Sequence, residues 1–346
     1  MKVVHVHRMR GIGGSERHLL TLLPALRERG IDARFAGLDD THGWDPNPFY
    51  EALARADVPY VRLRGPLRLA RALRGVDAVH THLVHADVYG TLAARGPRLF
   101  STKHNDDRFR TGPWRFVELG LARRAERIVA ITHSLARFQV ERVGLPAEKV
   151  EVIHYGLDEP PAPWGTNPPL DLGSGAVIAA VSRLVPQKGI DVAVRAAAGL
   201  DAALVVLGEG PERPRLEALA RDLGVRLLLP GRVPDVAAVL RRADLFAHPA
   251  RWEGFGLGVL EAMLLSLPVV ASDVSSLPEL VADGETGLLV PPDDVEALRI
   301  ALLRVLHDPG ELGRRGYERA RREFSVDRMA SKTAALYAAA PSSEAR

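Results

Sequence analysis

Short β-rich runs alternate with amphipathic helical stretches twice over in this chain of 346 residues, once on each side of a single proline-dense segment. In the first half the runs are Val3–His7, Ala33–Gly37, Tyr60–Leu63, Ala78–Thr81, Leu99–Thr102, Ile128–Ile131 and Val150–Ile153, with the first helix around Ser15–Arg29. Strands separated by helices pair in parallel, because a parallel neighbour is reached only through a long crossover, and such a sheet needs cover on both faces. The segment Glu159–Pro169 carries five prolines, which suit neither a helix interior nor a central strand, and it reads as a linker. The alternation then restarts with Ala176–Val181, Ala203–Leu207, Arg226–Leu229, Leu245–Ala247, Pro268–Ala271 and Gly287–Val290. The expected fold class is α/β, with two doubly wound Rossmann-like parallel-sheet domains, 1–159 and 160–325, facing each other across a cleft. The tail from Pro309 to Ala340 reads as helical, its part within 326–346 packing back toward the first domain, and Pro341–Arg346 as a frayed end.

Composition narrows the chemistry. The chain has no cysteine, which excludes a disulfide framework, a thiolate metal site and a cysteine nucleophile. No run of 18 apolar residues occurs to span a membrane, and Met1–His7 reads as a buried strand rather than a signal peptide, so a cytoplasmic address is expected. Residues 1–159 carry 25 Lys+Arg against 19 Asp+Glu, whereas the rest carry 21 against 24. A basic first half suits an anionic partner. The stretch Arg62–Arg74 sets Arg68 and Arg71 opposite Leu69 and Leu73 on a short helix, which fits an ordinary surface helix and equally a peripheral contact with the inner membrane face. No nucleic-acid partner is expected.

Open α/β sheets bind ligands at the loops that follow their strands, and the motifs fall there. Arg251-Trp252-Glu253-Gly254-Phe255-Gly256-Leu257-Gly258 leads from a strand ending near His248 into a helix. Glycines let the backbone approach a ligand, and the helix N-terminus favours a phosphate. Glu253 and, after seven further residues, Glu261 would repel phosphate and are read as acceptors for sugar and ribose hydroxyls. Arg183 and Lys188 flank the turn after the first strand of the second half, where two cations clamp a diphosphate. Gly11-Ile12-Gly13-Gly14-Ser15-Glu16 approaches the dinucleotide fingerprint but ends in Glu16, although Asp32 lies where a ribose-binding acid is expected.

Taken in order and spacing, Gly13-Gly14-Ser15-Glu16, Arg183 with Lys188-Gly189, Leu207-Gly208-Glu209-Gly210-Pro211, Gly231-Arg232-Val233 and the Glu253/Glu261 pair resemble the retaining GT-B glycosyltransferases of family four. The resemblance runs from Lys2 to about residue 340. It implies a nucleotide-diphosphate-sugar donor, retention at the anomeric carbon and no metal or other cofactor. It also implies roles: Arg183 and Lys188 on the diphosphate with Gly14 approaching it, Glu253 on the transferred sugar, Glu261 on the ribose. The backbone of Gly254, Phe255, Gly256 and Leu257 would line sugar and phosphates, Gly208 would belong to the donor pocket, and Arg232 and Val233 would abut the base. His104 matches the family's active-site histidine. Many relatives carry Pro-Asn-Gly-Val-Asp where this chain has His154-Tyr155-Gly156-Leu157-Asp158; Gly156 and Asp158 match, but the asparagine side chain and any polar contact it makes have no counterpart at Tyr155.

His80-Thr81-His82-Leu83-Val84-His85 sets two imidazoles on one strand face, as a metal site can require. With no Asp-x-Asp pair in the chain, no metal is expected; His80 is read as packing in the sheet, and His82 or His85 as lining the acceptor side. The acceptor stays open among lipid-linked, polysaccharide and small-metabolite classes. The alternatives are an NAD(P)-dependent oxidoreductase using the first glycine loop, a retaining glycosidase using two carboxylates, which would have no use for a diphosphate clamp, and a non-catalytic nucleotide-sugar-binding protein.

Overall fold

The computed structural model describes residues 1–9, 12–39, 45–106, 108–160 and 170–339. They form two compact units, residues 1–156 together with the segment from Ser325, and Leu157–Phe324. Most of the proline-dense linker (161–169) and the end from 340 lie outside the described residues, as does Gly11 of the first glycine loop.

In the first unit the strands are β1 Lys2–Met9, β2 Asp32–Asp39, β3 Tyr60–Leu63, β4 Ala78–His82, β5 Arg98–Lys103, β6 Arg127–Ala130 and β7 Val150–Val152. They build one sheet in the order β3-β2-β1-β4-β5-β6-β7, every pair parallel. β1 and β2 are longer than the β-rich runs alone suggest, because their ladder continues from Lys2↔Asp32 to Met9↔Asp39. The helix Gly14–Glu28 buries Leu19, Leu22, Leu23 and Leu26 on one face, as the 3.6-residue period requires.

The helical tail is broken rather than continuous. One helix covers Leu312–Glu323 and a second Val326–Ala338, divided where the Ser325 hydroxyl caps the new helix by accepting from the Arg328 N–H at 3.2 Å. The second helix belongs to the first unit, where Val326, Met329, Ala330, Leu336 and Tyr337 share a core with Leu19, Phe100 and Val129. Capping at Ser325 is what lets the chain leave one core and enter the other.

The second unit contains β8 Ala176–Val181, β9 Ala202–Leu207, β10 Arg226–Gly231, β11 Leu245–His248, β12 Val269–Ser272 and β13 Leu288–Val290, in the order β10-β9-β8-β11-β12-β13 and all parallel. In each sheet the strand order reverses once, between β1 and β4 and between β8 and β11. Connections leave such a point in opposite directions, opening a crevice beyond the carboxyl ends of the strands. The loops after β1, β4, β8 and β11 carry Gly14, His85, Arg183 with Lys188, and Glu253, while His104, Gly208 and Arg232 follow β5, β9 and β10.

Candidate active site

In the second unit the loops after β8 and β11 are locked together. Gly189 has φ +62°, and a Cβ there would lie 1.9 Å from the Pro249 carbonyl oxygen. The Arg251 N–H donates to the Gln187 carbonyl at 2.9 Å, and the Gln187 side-chain amide donates to the Trp252 carbonyl at 3.1 Å. Arg251 adds a bidentate pair to Asp191, both contacts at 3.0 Å, and a 2.6 Å bond to Asp293. Gly189→Ala is therefore expected to cost about 1–3 kcal/mol of backbone strain before any clash is counted. Urea denaturation checks this, and an unchanged midpoint would show that the close approach is not needed.

The locked loops bring Lys188 to Glu253. The Lys188 ammonium is 2.6 Å from Glu253 Oε2, and His248 Nε2 reaches the same oxygen at 2.7 Å. Glu253 Oε1 accepts the Gly254 N–H at 3.0 Å. Burial opposes ionisation of this carboxyl, but His248, by hydrogen bond and charge, and Lys188 outweigh burial and hold it well below the usual carboxylate range. Arg183 is exposed, and its guanidinium makes no hydrogen bond or ion pair among the described residues. The site therefore offers one partnered cation and one unpartnered one.

Gly256 opens the helix Leu257–Leu264 at φ +102°, and no side chain caps that N-terminus, so its first amides remain available to an anion. The Ser276 hydroxyl donates to the Phe255 carbonyl at 2.9 Å and ties the glycine loop down. Phe255 is buried edge-on to Phe324, which leaves Gly254 and Leu257 the more exposed members of the run. Glu261 is buried within the helix. Gly208 packs against the Ser182 carbonyl and donates its N–H to Gly231 at 2.9 Å, placing Arg232, exposed, and Val233, half-buried, beside the loop after β8.

The first glycine loop is organised differently. Glu16 makes the return half of a capping box, since Gly13 has no side chain to reciprocate: its Oε2 accepts the Gly13 N–H at 2.9 Å and the Ser15 hydroxyl at 3.0 Å. A carboxylate thus occupies the helix N-terminus where a dinucleotide pyrophosphate would sit, while Gly14 stays exposed. Asp32 opens β2 at its amino end, away from the ligand edge, and pairs with Arg34 at 2.9 Å. It cannot serve as the ribose acid.

Two histidine expectations need correction. His82 is fully buried, with Nε2 3.0 Å from His5 Nδ1 and Nδ1 3.0 Å from His104 Nε2, so it does not line an acceptor surface directly. His104 follows β5 at the carboxyl edge, but its imidazole is buried and both nitrogens are engaged, Nε2 by His82 and Nδ1 by the Tyr155 hydroxyl. It offers a substrate its backbone before its ring. The preceding Lys103 is held in a buried charge network, 2.6 Å from Asp87 and 2.9 Å from Glu118, which Arg110 meets at 2.6 Å. His85 is exposed, two residues beyond Leu83, whose φ of +68° turns the chain out of β4. His80 packs inside the sheet.

Residues 12–159 match the family profile Glycosyltransferase Family 4, and residues 171–323 match Glycosyl transferases group 1. A D-inositol 3-phosphate glycosyltransferase of Kribbella flavida is 32% identical across 83% of this chain and 78% of its own length. The chain belongs to the family 4 glycosyltransferases. The alpha-maltose-1-phosphate synthase of Mycolicibacterium smegmatis is 29% identical across 94% of this chain and 95% of its own length. The Anabaena protein HepE, solved in complex with UDP and glucose, has a TM-score of 0.83 at 21% identity, covering 98% of this chain and 99% of that one. The fold is GT-B, and the enzyme is a glycosyltransferase, which leaves the oxidoreductase alternative unfavoured. Within this glycosyltransferase, sequence reading missed His248, Arg251 and Tyr155. His248 precedes the motif it supports, and Arg251 and Tyr155 act on partners 60 and 51 residues away.

Proposed function

We propose that this glycosyltransferase moves a sugar from a nucleoside-diphosphate sugar to an acceptor held by the first unit, with retention at the anomeric carbon and without a metal ion. The observation that carries the reading is the Lys188–Glu253–His248 assembly beside the uncapped helix N-terminus, at the point where the second sheet reverses its strand order. As the bond from the anomeric carbon to the diphosphate breaks, negative charge grows on the leaving oxygen. Arg183, Lys188 and the amides of Gly256 and Leu257 match that charge. Glu253 Oε1, bonded only to the Gly254 amide, accepts from sugar hydroxyls, and Glu261 accepts from the ribose. The acceptor oxygen bonds the anomeric carbon on the face the diphosphate leaves, and its proton passes to the departing phosphate oxygen. No covalent enzyme intermediate is needed.

HepE holds UDP and glucose, and a mannosyltransferase relative from Mycolicibacterium smegmatis is named as GDP-mannose-dependent. Both names point to a nucleoside diphosphate, the part this pocket would grip. Among the described residues no helix is long and apolar enough to cross a membrane. Arg68, Arg71 and Arg74 lie exposed beside Leu67, a face that suits an anionic bilayer if the acceptor is lipid-linked.

A thermal-shift panel of UDP-, GDP- and ADP-sugars with chelator present, paired with transfer assays on lipid, polysaccharide and small-metabolite acceptors, tests the reading. One base series is expected to stabilise the protein by about 2.7 kcal/mol at a hundredfold excess over Kd. No shift from any donor, or a shift only after chelator removal, would sink it. Donor binding with no transfer to any acceptor would leave the non-catalytic binding protein instead.

A further inference from the structure

We infer that Tyr337, His5 and His82 are positioning residues for His104, linked in a buried hydrogen-bonded chain from Thr102 to Tyr155 that ties the tautomer of His104 to those of the other members. The inference rests on the reading that His104, matched to the family's active-site histidine, stands beside the donor sugar and meets it through the backbone that its anchored ring holds in place.

The chain is continuous. The Thr102 hydroxyl lies 2.6 Å from His80 Nε2, and His80 Nδ1 meets the Tyr337 hydroxyl. That hydroxyl lies 3.2 Å from His5 Nε2, and His5 Nδ1 lies 3.0 Å from His82 Nε2. His82 Nδ1 lies 3.0 Å from His104 Nε2, and His104 Nδ1 meets the Tyr155 hydroxyl. No member is more than 4% exposed. Burial, more than the neighbouring imidazoles, lowers the pKa of all four histidines, so each is neutral at pH 7.

A neutral imidazole has one N–H and one lone pair, and a hydroxyl has one proton to give. A reversed link between two imidazoles sets two N–H groups or two lone pairs face to face without water, and at Tyr337, whose oxygen can accept from both neighbours, it leaves the hydroxyl proton buried with no acceptor among the described residues. Only two arrangements satisfy every group, all forward or all reversed. The tautomer of His104 is thus a property of the whole chain, and Tyr337 joins its two halves. Tyr337 stands on the terminal helix Val326–Ala338, 332 residues from His5. Seating of that helix is in this way read out at the carboxyl edge of β5.

The test uses the full-length protein labelled with 15N-histidine, together with Tyr337→Phe, Thr102→Val and Thr102→Ser. Wild type is expected to show a single neutral tautomer at His5, His80, His82 and His104. Tyr337→Phe keeps the buried ring and is expected to give mixed tautomers at His5, His82 and His104. Its kcat is expected to fall about 10-fold at unchanged donor KM, since a misplaced group costs rate rather than binding. Thr102→Val, at the far end, provides the same readout if Tyr337→Phe folds poorly, and Thr102→Ser is expected to restore wild-type behaviour. Mixed tautomers in wild type would overturn the inference. So would a stoichiometric metal ion on His5, His80 and His82, whose ligand atoms lie within 4.8 Å of one another. A switched tautomer with an unchanged transfer rate would refute the role of His104 in transfer while leaving the chain intact.

Discussion

Lowering the pH from 7.5 to 5.5 is expected to unfold the first unit while the second stays folded. Half of the chain's 12 histidines, His5, His7, His18, His80, His82 and His104, are buried in the first unit. Burial lowers the pKa of each, to about 3 for His18 and His80. In the unfolded chain these imidazoles titrate near 6.5. Between the folded and unfolded values the unfolded state binds the extra protons, so stability is fully present above pH 6.5 and is lost as pH falls below it.

By pH 5.5 each imidazole that stays neutral costs about 1.4 kcal/mol, and the five held furthest below 6.5, His5, His18, His80, His82 and His104, together about 7 kcal/mol, against the roughly 5–15 kcal/mol that holds a domain folded. Glu253 behaves oppositely in range. Its carboxyl is depressed below the usual value of 4.5, so its contribution persists through this window and is lost only in stronger acid. Hydrogen exchange resolved by unit, with urea titrations at both pH values, measures the effect. Equal protection of the first unit at pH 7.5 and 5.5 would refute it.

The second large effect is on turnover. Arg183→Ala combined with Lys188→Ala is expected to lower kcat/KM by about 10²–10⁴-fold, since each charge-assisted hydrogen bond to the leaving diphosphate contributes about 1.5–3 kcal/mol. The two single variants should differ in kind. Arg183 is exposed and has no partner among the described residues, so Arg183→Ala is expected to leave the melting temperature unchanged and lose only activity. Lys188→Ala also strips Glu253 of its cation, leaving a buried carboxylate on His248 and one amide, and is expected to lower stability as well. Wild-type rates in the double variant would remove the clamp from the mechanism.

Particular residues show how far the sequence could be read. Gly254, Gly256 and Glu253 stood out because a glycine-rich turn between a strand and a helix is a local pattern. Arg183 and Lys188 stood out because five residues hold them to one strand end. Their donor role was a matter of position, since a strand end at a chain reversal is where such sheets bind. His104 was legible as a motif but not in its chemistry. Nothing near residue 104 shows that its ring is consumed by His82 and Tyr155. Asp32 was misplaced for a related reason: spacing from a glycine loop cannot tell the amino from the carboxyl end of the next strand when that strand extends to residue 32.

Alternation of β-rich and helical runs, with prolines between its two rounds, was enough to determine a pair of parallel-sheet domains, because period and punctuation are properties of neighbours along the chain. Which side chains finish each other's hydrogen bonds was decided only by the folded molecule. His248 on Glu253, Arg251 on Asp191 and Tyr337 on His5 are pairings of direction as well as distance. Those directions exist only once the sheets have twisted and the last helix has packed against the first.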